Sequence, residues 1–176
     1  IAHCKAIFTV KHDGLSPVTG WFSNISGSLD YDPKNLSQSK TEAWIETSSL
    51  NSGFGMRDVH LRASDFFDVK KYPQMYFKSQ EVIPVSPGKF KMVGILTLRD
   101  LKKKVVLDCT GPTGPIVDEQ KQERIGVQAT TKLNRKDFGI IWNREVSPGV
   151  FMVADPVDIT LEMEFLKVAE VKRRGR

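Results

Sequence analysis

The sequence predicts an all-β, antiparallel protein, and three observations carry that expectation. Apolar residues recur with a period of two along most of the chain rather than with the period of a helix. Turn-forming residues punctuate these runs. Segments with helical spacing are few and short. About eight runs, each with one dry and one wet face, must bury the dry one, and the two solutions are a closed barrel and a sandwich. Several runs extend over roughly 9–13 residues by the alternation count. Long, tilted strands favour the barrel, and eight of them leave room for one small ligand.

The first run covers 4–12, with Ala6, Phe8, Val10 and His12 on one face and Lys5, Ile7, Thr9 and Lys11 on the other. Run 21–31 sets Trp21, Ile25, Leu29 and Tyr31 on one face, with Ser and Gly between them. Thr41 to Ser48 alternates, and then Met75, Phe77 and Ser79 oppose Tyr76 and Lys78. Phe90, Met92, Gly94, Leu96 and Leu98 follow, then Val105, Leu107 and Cys109, then Ile125, Val127, Ala129, Thr131 and Leu133. The clearest run is the last. Val157, Ile159, Leu161, Met163 and Phe165 alternate with Asp158, Thr160, Glu162 and Glu164, the pattern of a strand with one face in the core. Loops are expected at Asp30–Pro33, Ser86-Pro87-Gly88, Gly111–Pro115 and Ser147-Pro148-Gly149. Two short helices are expected, one near 34–39 and one near 61–69, the latter with Ser64 capping a turn that holds Asp65, Phe66 and Phe67.

Composition narrows the function classes. The 176 residues carry a net charge of +5 and 27% charged residues, an ordinary globular balance. The last five residues, Lys172 to Arg176, hold four of those positive charges and no acid, so the body is nearly neutral. A nucleic-acid footprint needs a basic face on the fold itself and is not expected. The division is a domain over 1–167 and a basic tail over 168–176, the tail read as a solvated end or as a point of transient membrane contact. The chain starts at Ile1 with no signal segment in view, as a processed or trimmed product does. Cys4 and Cys109 are too few for a disulfide framework or a zinc site; two buried thiols or a single bridge both fit. The motifs of serine hydrolases, dinucleotide-binding enzymes, zinc proteases and P-loop enzymes are absent, and Asp65 and Asp68 have no feature of a raised-pKa pair. No catalysis, metal or cofactor is expected.

Residues 57–79 carry a more specific signal. They read Arg57-Asp58-Val59-His60-Leu61, Phe66-Phe67-Asp68, Tyr72-Pro73 and Phe77-Lys78-Ser79. This series resembles the YceI-like family in order and spacing. The run from His3 to His12, Gly20-Trp21-Phe22, Gly94-Ile95-Leu96-Thr97 and Asn134-Arg135-Lys136-Asp137-Phe138-Gly139 resemble further steps of the same pattern. Three departures are visible. The short opening strand ahead of His3 is missing. Cys4 stands where the family has Ser. Arg99-Asp100-Leu101-Lys102-Lys103 replaces a glycine-containing turn, which leaves the local turn type open.

The resemblance implies an antiparallel, eight-stranded lipocalin-like β-barrel with an interior apolar cavity. It implies binding or transport of a long apolar lipid (a polyisoprenoid, an isoprenoid quinone or a fatty-acid derivative) in a periplasmic or secreted bacterial setting. The aromatics Phe8, Trp21, Phe66, Phe67, Phe77 and Trp142 are candidates for the wall of such a cavity. His12, Arg57, Asp58 and His60 are candidates for a polar site near its mouth, with Arg57 either meeting a ligand head group or holding its own loop. The expected partner is a small-molecule lipid. Sheet edges and Trp44 are candidate surfaces for a homodimer. The alternative is a barrel packed solid that serves as a structural or interaction domain; the presence or absence of a continuous void separates the two.

Overall fold

The computed structural model describes residues 4–168. His3 and the tail from residue 169 onward lie outside the described residues, as do the expectations placed on them. The strands are β1 (Lys5–His12), β2 (Ser16–Phe22), β3 (Ile25–Asp30), β4 (Lys40–Glu46), β5 (Leu50–Asn51), β6 (Gln74–Ser86), β7 (Lys89–Leu98), β8 (Leu101–Val117), β9 (Glu123–Asn134), β10 (Glu145–Ser147), β11 (Val150–Phe151) and β12 (Val153–Leu166). One helix, α1 (Gly55–Arg62), and three short 3₁₀ turns complete the element order.

Ten of the strands form one antiparallel sheet in the order β3-β4-β6-β7-β8-β9-β12-β1-β2-β5. Its two ends meet. The chain runs from β2 into β3 through Ser23 and Asn24 alone, and from β4 into β5 through a single 3₁₀ turn, Thr47–Ser49. β3 pairs with β4, and β2 pairs with β5. Counted as continuous bent strands, β2–β3 and β4–β5 reduce the ten segments to eight and close the ring, as the sequence led one to expect. The closure is uneven. β2 and β5 share two residue pairs, Trp21 with Asn51 and Phe22 with Leu50, whereas β9 and β12 share eleven.

Three expectations need correction. The helix lies at Gly55–Arg62, ahead of the expected 61–69. Residues 63–69 are successive turns, in which the Phe67 amide donates to the Leu61 carbonyl and the Asp68 amide to that of Ala63. Phe66 packs toward Trp142 while Phe67 packs toward Phe8 and Phe22, and one helix face does not serve both directions. The Gly111–Pro115 segment is not a loop but part of β8. Its register with β9 slips between Thr110 and Thr113 and again between Thr113 and Ile116, so each Gly-Pro-Thr or Gly-Pro-Ile step is accommodated as a bulge. Run 21–31 is two strands, and the bend at Ser23-Asn24 shifts the parity: Phe22 is inward where Trp21 was expected.

The glycine-free turn has a definite form. Arg99 (φ 51°) and Asp100 (φ 61°) are both left-handed between the paired residues Leu98 and Leu101. That is a two-residue turn with the twist a hairpin prefers, made from residues that adopt it at a cost. Asp100→Gly is therefore expected to raise stability by about 0.5–1 kcal/mol, visible as a small increase in denaturant midpoint; a decrease would mean that the Asp100 side chain contributes more than its backbone strain costs.

Candidate functional site

The inward side chains of the ring enclose one apolar cavity of about 590 Å³. On β12 the lining residues are Val157, Ile159, Leu161, Met163 and Phe165, the set that alternation singles out, together with Val153 at the start of the strand. From Val153 to Phe165 a strand covers roughly 40 Å, and barrel tilt shortens that to about 30 Å along the axis. Spread over that length, the volume is a tube about one hydrocarbon chain wide rather than a chamber. Small side chains keep it open at mid-height: Ala6 on β1 and Ala129 on β9 both line it. Two other small residues singled out by alternation do not. Gly94 has the Phe77 ring folded over it, where a Cβ would stand 2.5 Å from the ring, and Ser79 accepts a hydrogen bond from the Thr41 amide at 2.9 Å.

Tyr31, Leu36 and Ser39, from the β3–β4 connection, close one end. The other end lies under α1 and the loops around β10 and β11. There His60 stands edge-on to Phe66 and to Trp142, with ring centroids 5.0 and 4.8 Å away. Phe22 and Phe67 meet edge to face at 5.2 Å, with Phe8 beside both. Among the described lining residues only Lys11, Phe54 and Met56 are exposed to solvent. The cavity therefore opens between the β1–β2 hairpin and the start of α1.

The polar cluster at this mouth is built around Ser52. Asp58, buried in the first turn of α1, accepts from the Ser52 amide at 2.9 Å and from its hydroxyl at 2.5 Å. Arg57 donates from Nε to Ser52 Oγ and from Nη2 to the Ser52 carbonyl, both at 2.7 Å. The Arg57 guanidinium also lies over the Phe54 ring at 5.8 Å, a cation–π distance. Helix α1 has no side-chain N-cap, and Asp58 near its N-terminus supplies the negative charge that end favours. His60 Nε2 meets Asp65 Oδ2 at 3.0 Å at the helix's other end.

Eight of the ten candidate residues thus line the cavity: Phe8, His12, Arg57, His60, Phe66, Phe67, Phe77 and Trp142. Trp21 stands off it because of the parity shift, and Asp58 is committed to Ser52. Trp44 is half-buried with its ring 5.0 Å from that of Tyr76 on the neighbouring strand. The alternation missed Phe22, Phe54, Met56 and the buried Arg135, all of which line the cavity. Two of these had a signal. Ser23-Asn24 marks a possible bend beside Phe22, and the N-R-x-D-F-G turn contains Arg135. Phe54 and Met56 lie in no periodic run.

Both cysteines are free. Cys4 Sγ contacts the Glu164 carbonyl at 3.5 Å, and Cys109 Sγ contacts that of Leu107 at 3.7 Å. Cys109 lines the cavity, and burial there pushes its thiol up to about 12. The thiolate is the reactive form, so Cys109 is expected to resist iodoacetamide at neutral pH in the folded protein and to react after unfolding. The folded state holds a proton that the unfolded thiol releases near 9. Stability is accordingly expected to be unaffected by this group below about pH 9 and to fall between about pH 9 and 12. A Cys109→Ala variant melted across that range should show a shallower decline; an identical decline would remove Cys109 as its cause.

Comparison with known proteins places these features. The YceI-like domain matches residues 2–165. A UPF0312 protein of Vibrio cholerae is 37% identical over 139 residues, which is 79% of this chain and 73% of that protein. The crystal structure of the Campylobacter jejuni YceI protein superposes with a TM-score of 0.76 at 30% identity, covering 90% of each chain. A polyisoprenoid binding domain from Saccharophagus degradans, implicated in plant cell wall breakdown, has a TM-score of 0.64 at 14% identity over 94% of each chain and shares the fold.

Proposed function

The chain belongs to the YceI-like domain family, and on that premise we propose that it binds and carries a long apolar lipid inside the barrel. The observation that carries this reading is the cavity. A solid interior would favour a structural or interaction domain, and an apolar tube with one open mouth does not.

The physics of such binding is burial. Each methylene removed from water contributes about 0.8 kcal/mol, so some fifteen carbons supply roughly 12 kcal/mol before ordering costs are subtracted. The length of the tube separates ligand classes. At about 30 Å it matches the whole hydrocarbon thickness of a bilayer, roughly twice the reach of one acyl tail. A polyisoprenoid or an isoprenoid quinone fills it, and a fatty-acid derivative leaves half of it empty. The head group sits at the mouth, where Lys11, His12, Arg57 and His60 gather. A periplasmic or secreted location belongs to the same proposal, and osmotic-shock fractionation of the native host tests it.

Binding rather than catalysis is the reading. Organic extraction of protein purified from its host, followed by mass spectrometry, is expected to release a long isoprenoid of unaltered mass. Ligand-stripped protein is expected to bind solanesol, a long polyprenol, more tightly than palmitate. Failure to extract any lipid, together with failure to bind either probe, would overturn the proposal. Conversion of added solanesol to a product of different mass would replace it with an enzymatic one.

A further inference from the structure

We propose that the open end of the barrel is a membrane-docking surface that inserts into a lipid bilayer through an apolar rim. The inference rests on the lipid-binding reading and adds the partner from which the ligand is taken. Leu15 at the tip of the β1–β2 hairpin is 82% exposed. Met56 and Val59, one turn apart on α1, are 75% and 70% exposed, and Ile141 is 69% exposed. Phe54 and Phe151 are also exposed.

These residues come from three separate segments that the fold brings to one end. The Asp13 amide donates to the Met152 carbonyl at 2.9 Å, tying the hairpin that carries Leu15 to the strand end that carries Phe151. Trp142, the neighbour of Ile141, stacks edge-on against His60 of α1. The outward positions of the strands are different in kind, such as Asp158 and Glu162 on β12 and Gln128, Thr130 and Lys132 on β9.

Two features point to a bilayer as the occupant. The rim is continuous with the cavity, since Phe54 and Met56 belong to both. Exposed apolar side chains also occur at the far end, as at Val85, Ile116 and Val117, but none of them lines the cavity. A ligand insoluble in water leaves a bilayer most readily when the mouth itself is seated in the lipid, so that its chain is never hydrated. On the loops that carry the rim residues, Lys11, Arg57 and Arg144 are matched in number by Asp13, Asp65 and Glu145. Docking is therefore apolar insertion, which is insensitive to salt, rather than attraction to anionic lipid.

The test uses phosphatidylcholine vesicles and the triple variant L15D/V59D/I141D, whose sites do not line the cavity. The wild-type protein is expected to co-float with vesicles equally at low and high salt. The variant is expected to lose at least about tenfold in vesicle partitioning and to take up solanesol from vesicles correspondingly slowly. Its equilibrium affinity for solanesol presented in detergent should be unchanged. Loss of solanesol affinity in both proteins would refute the lipid-binding reading while leaving the flotation result to stand or fall separately. Equal flotation of variant and wild type, flotation that requires anionic lipid and disappears in salt, or a dimer in light scattering that the variant abolishes would each overturn the docking proposal.

Discussion

Replacing Arg135 with methionine is expected to lower the melting temperature by about 10 °C, the largest stability effect anticipated for a single polar residue in this barrel. Arg135 is 5% exposed and makes five hydrogen bonds. Nε donates to the Ala154 carbonyl at 3.0 Å, Nη1 to those of Ile140 and Trp142 at 2.7 and 2.8 Å, and Nη2 to Val153 and to Asp155 Oδ1, both at 3.2 Å. One guanidinium thereby ties the loop after the 3₁₀ turn Arg135–Phe138 to the start of β12. Burial holds its pKa below the ordinary arginine value, with Asp155 opposing that shift, and the group remains charged. Methionine fills similar space but leaves four carbonyls without this donor, a loss on the order of 3–5 kcal/mol. For a protein of this size each kcal/mol moves the melting point by about 2–4 °C. Arg135→Lys should recover little, because one ammonium does not reach acceptors arranged for a planar fork. A methionine variant that melts within about 2 °C of wild type would show that water replaces the guanidinium in these bonds.

The second large effect concerns ligand rather than stability. Ala129→Phe is expected to lower affinity for solanesol by at least a hundredfold while leaving the melting point equal or higher. Ala129 sits midway along β9, buried, facing the cavity between Cys109 of β8 and Leu161 of β12. A ring projecting from that position enters empty space, so it adds apolar contacts without displacing packed neighbours. It also divides the tube. If about ten carbons lose their burial, roughly 8 kcal/mol of transfer free energy goes with them, of which a hundredfold loss requires less than half. Palmitate, needing only one half of the tube, should be affected much less. Solanesol binding with unchanged affinity would mean that the chain does not pass mid-barrel.

Much of this was readable in the residues. Most of β12 was legible because Val157 to Phe165 alternate without interruption and both faces are distinct, although the strand begins earlier, at Val153. Phe66, Phe67 and Trp142 were named as candidates for the cavity wall, and all three line it. What escaped had physical reasons. Trp21 was placed inward because parity was carried across Ser23-Asn24, and a bend that offsets the chain by one residue reverses every face beyond it. The Gly111–Pro115 segment has the composition of a loop, and only pairing with β9 converts it into bulged strand. Arg135 carried no signal of its buried role beyond its place in the Asn134–Gly139 turn, because its five acceptors lie up to 20 positions away in sequence. Asp58 was grouped with Arg57 by adjacency, although each engages Ser52 rather than the other.

A closed ring of strands has no outer edge from which to fray, so its dynamics are decided by its thinnest join. Counted in continuous strands, β2–β3 meets β4–β5 through two pairs and six, so the thinnest join is that of β4 with β6, held by five residue pairs, while the opposite wall of β9 and β12 is held by eleven. Local opening costs least where the fewest ladder bonds must break together, which places breathing of the wall first where Glu42–Glu46 pairs with Gln74–Lys78. Ile45 and Met75 pair within this arc, and both line the cavity. For the proposed lipid, which enters and leaves by the mouth, this arc is the part of the wall that yields to a wide chain. Substitutions at that join are expected to change how wide a chain the proposed tube admits while leaving its length, and so the number of carbons it buries, as it is.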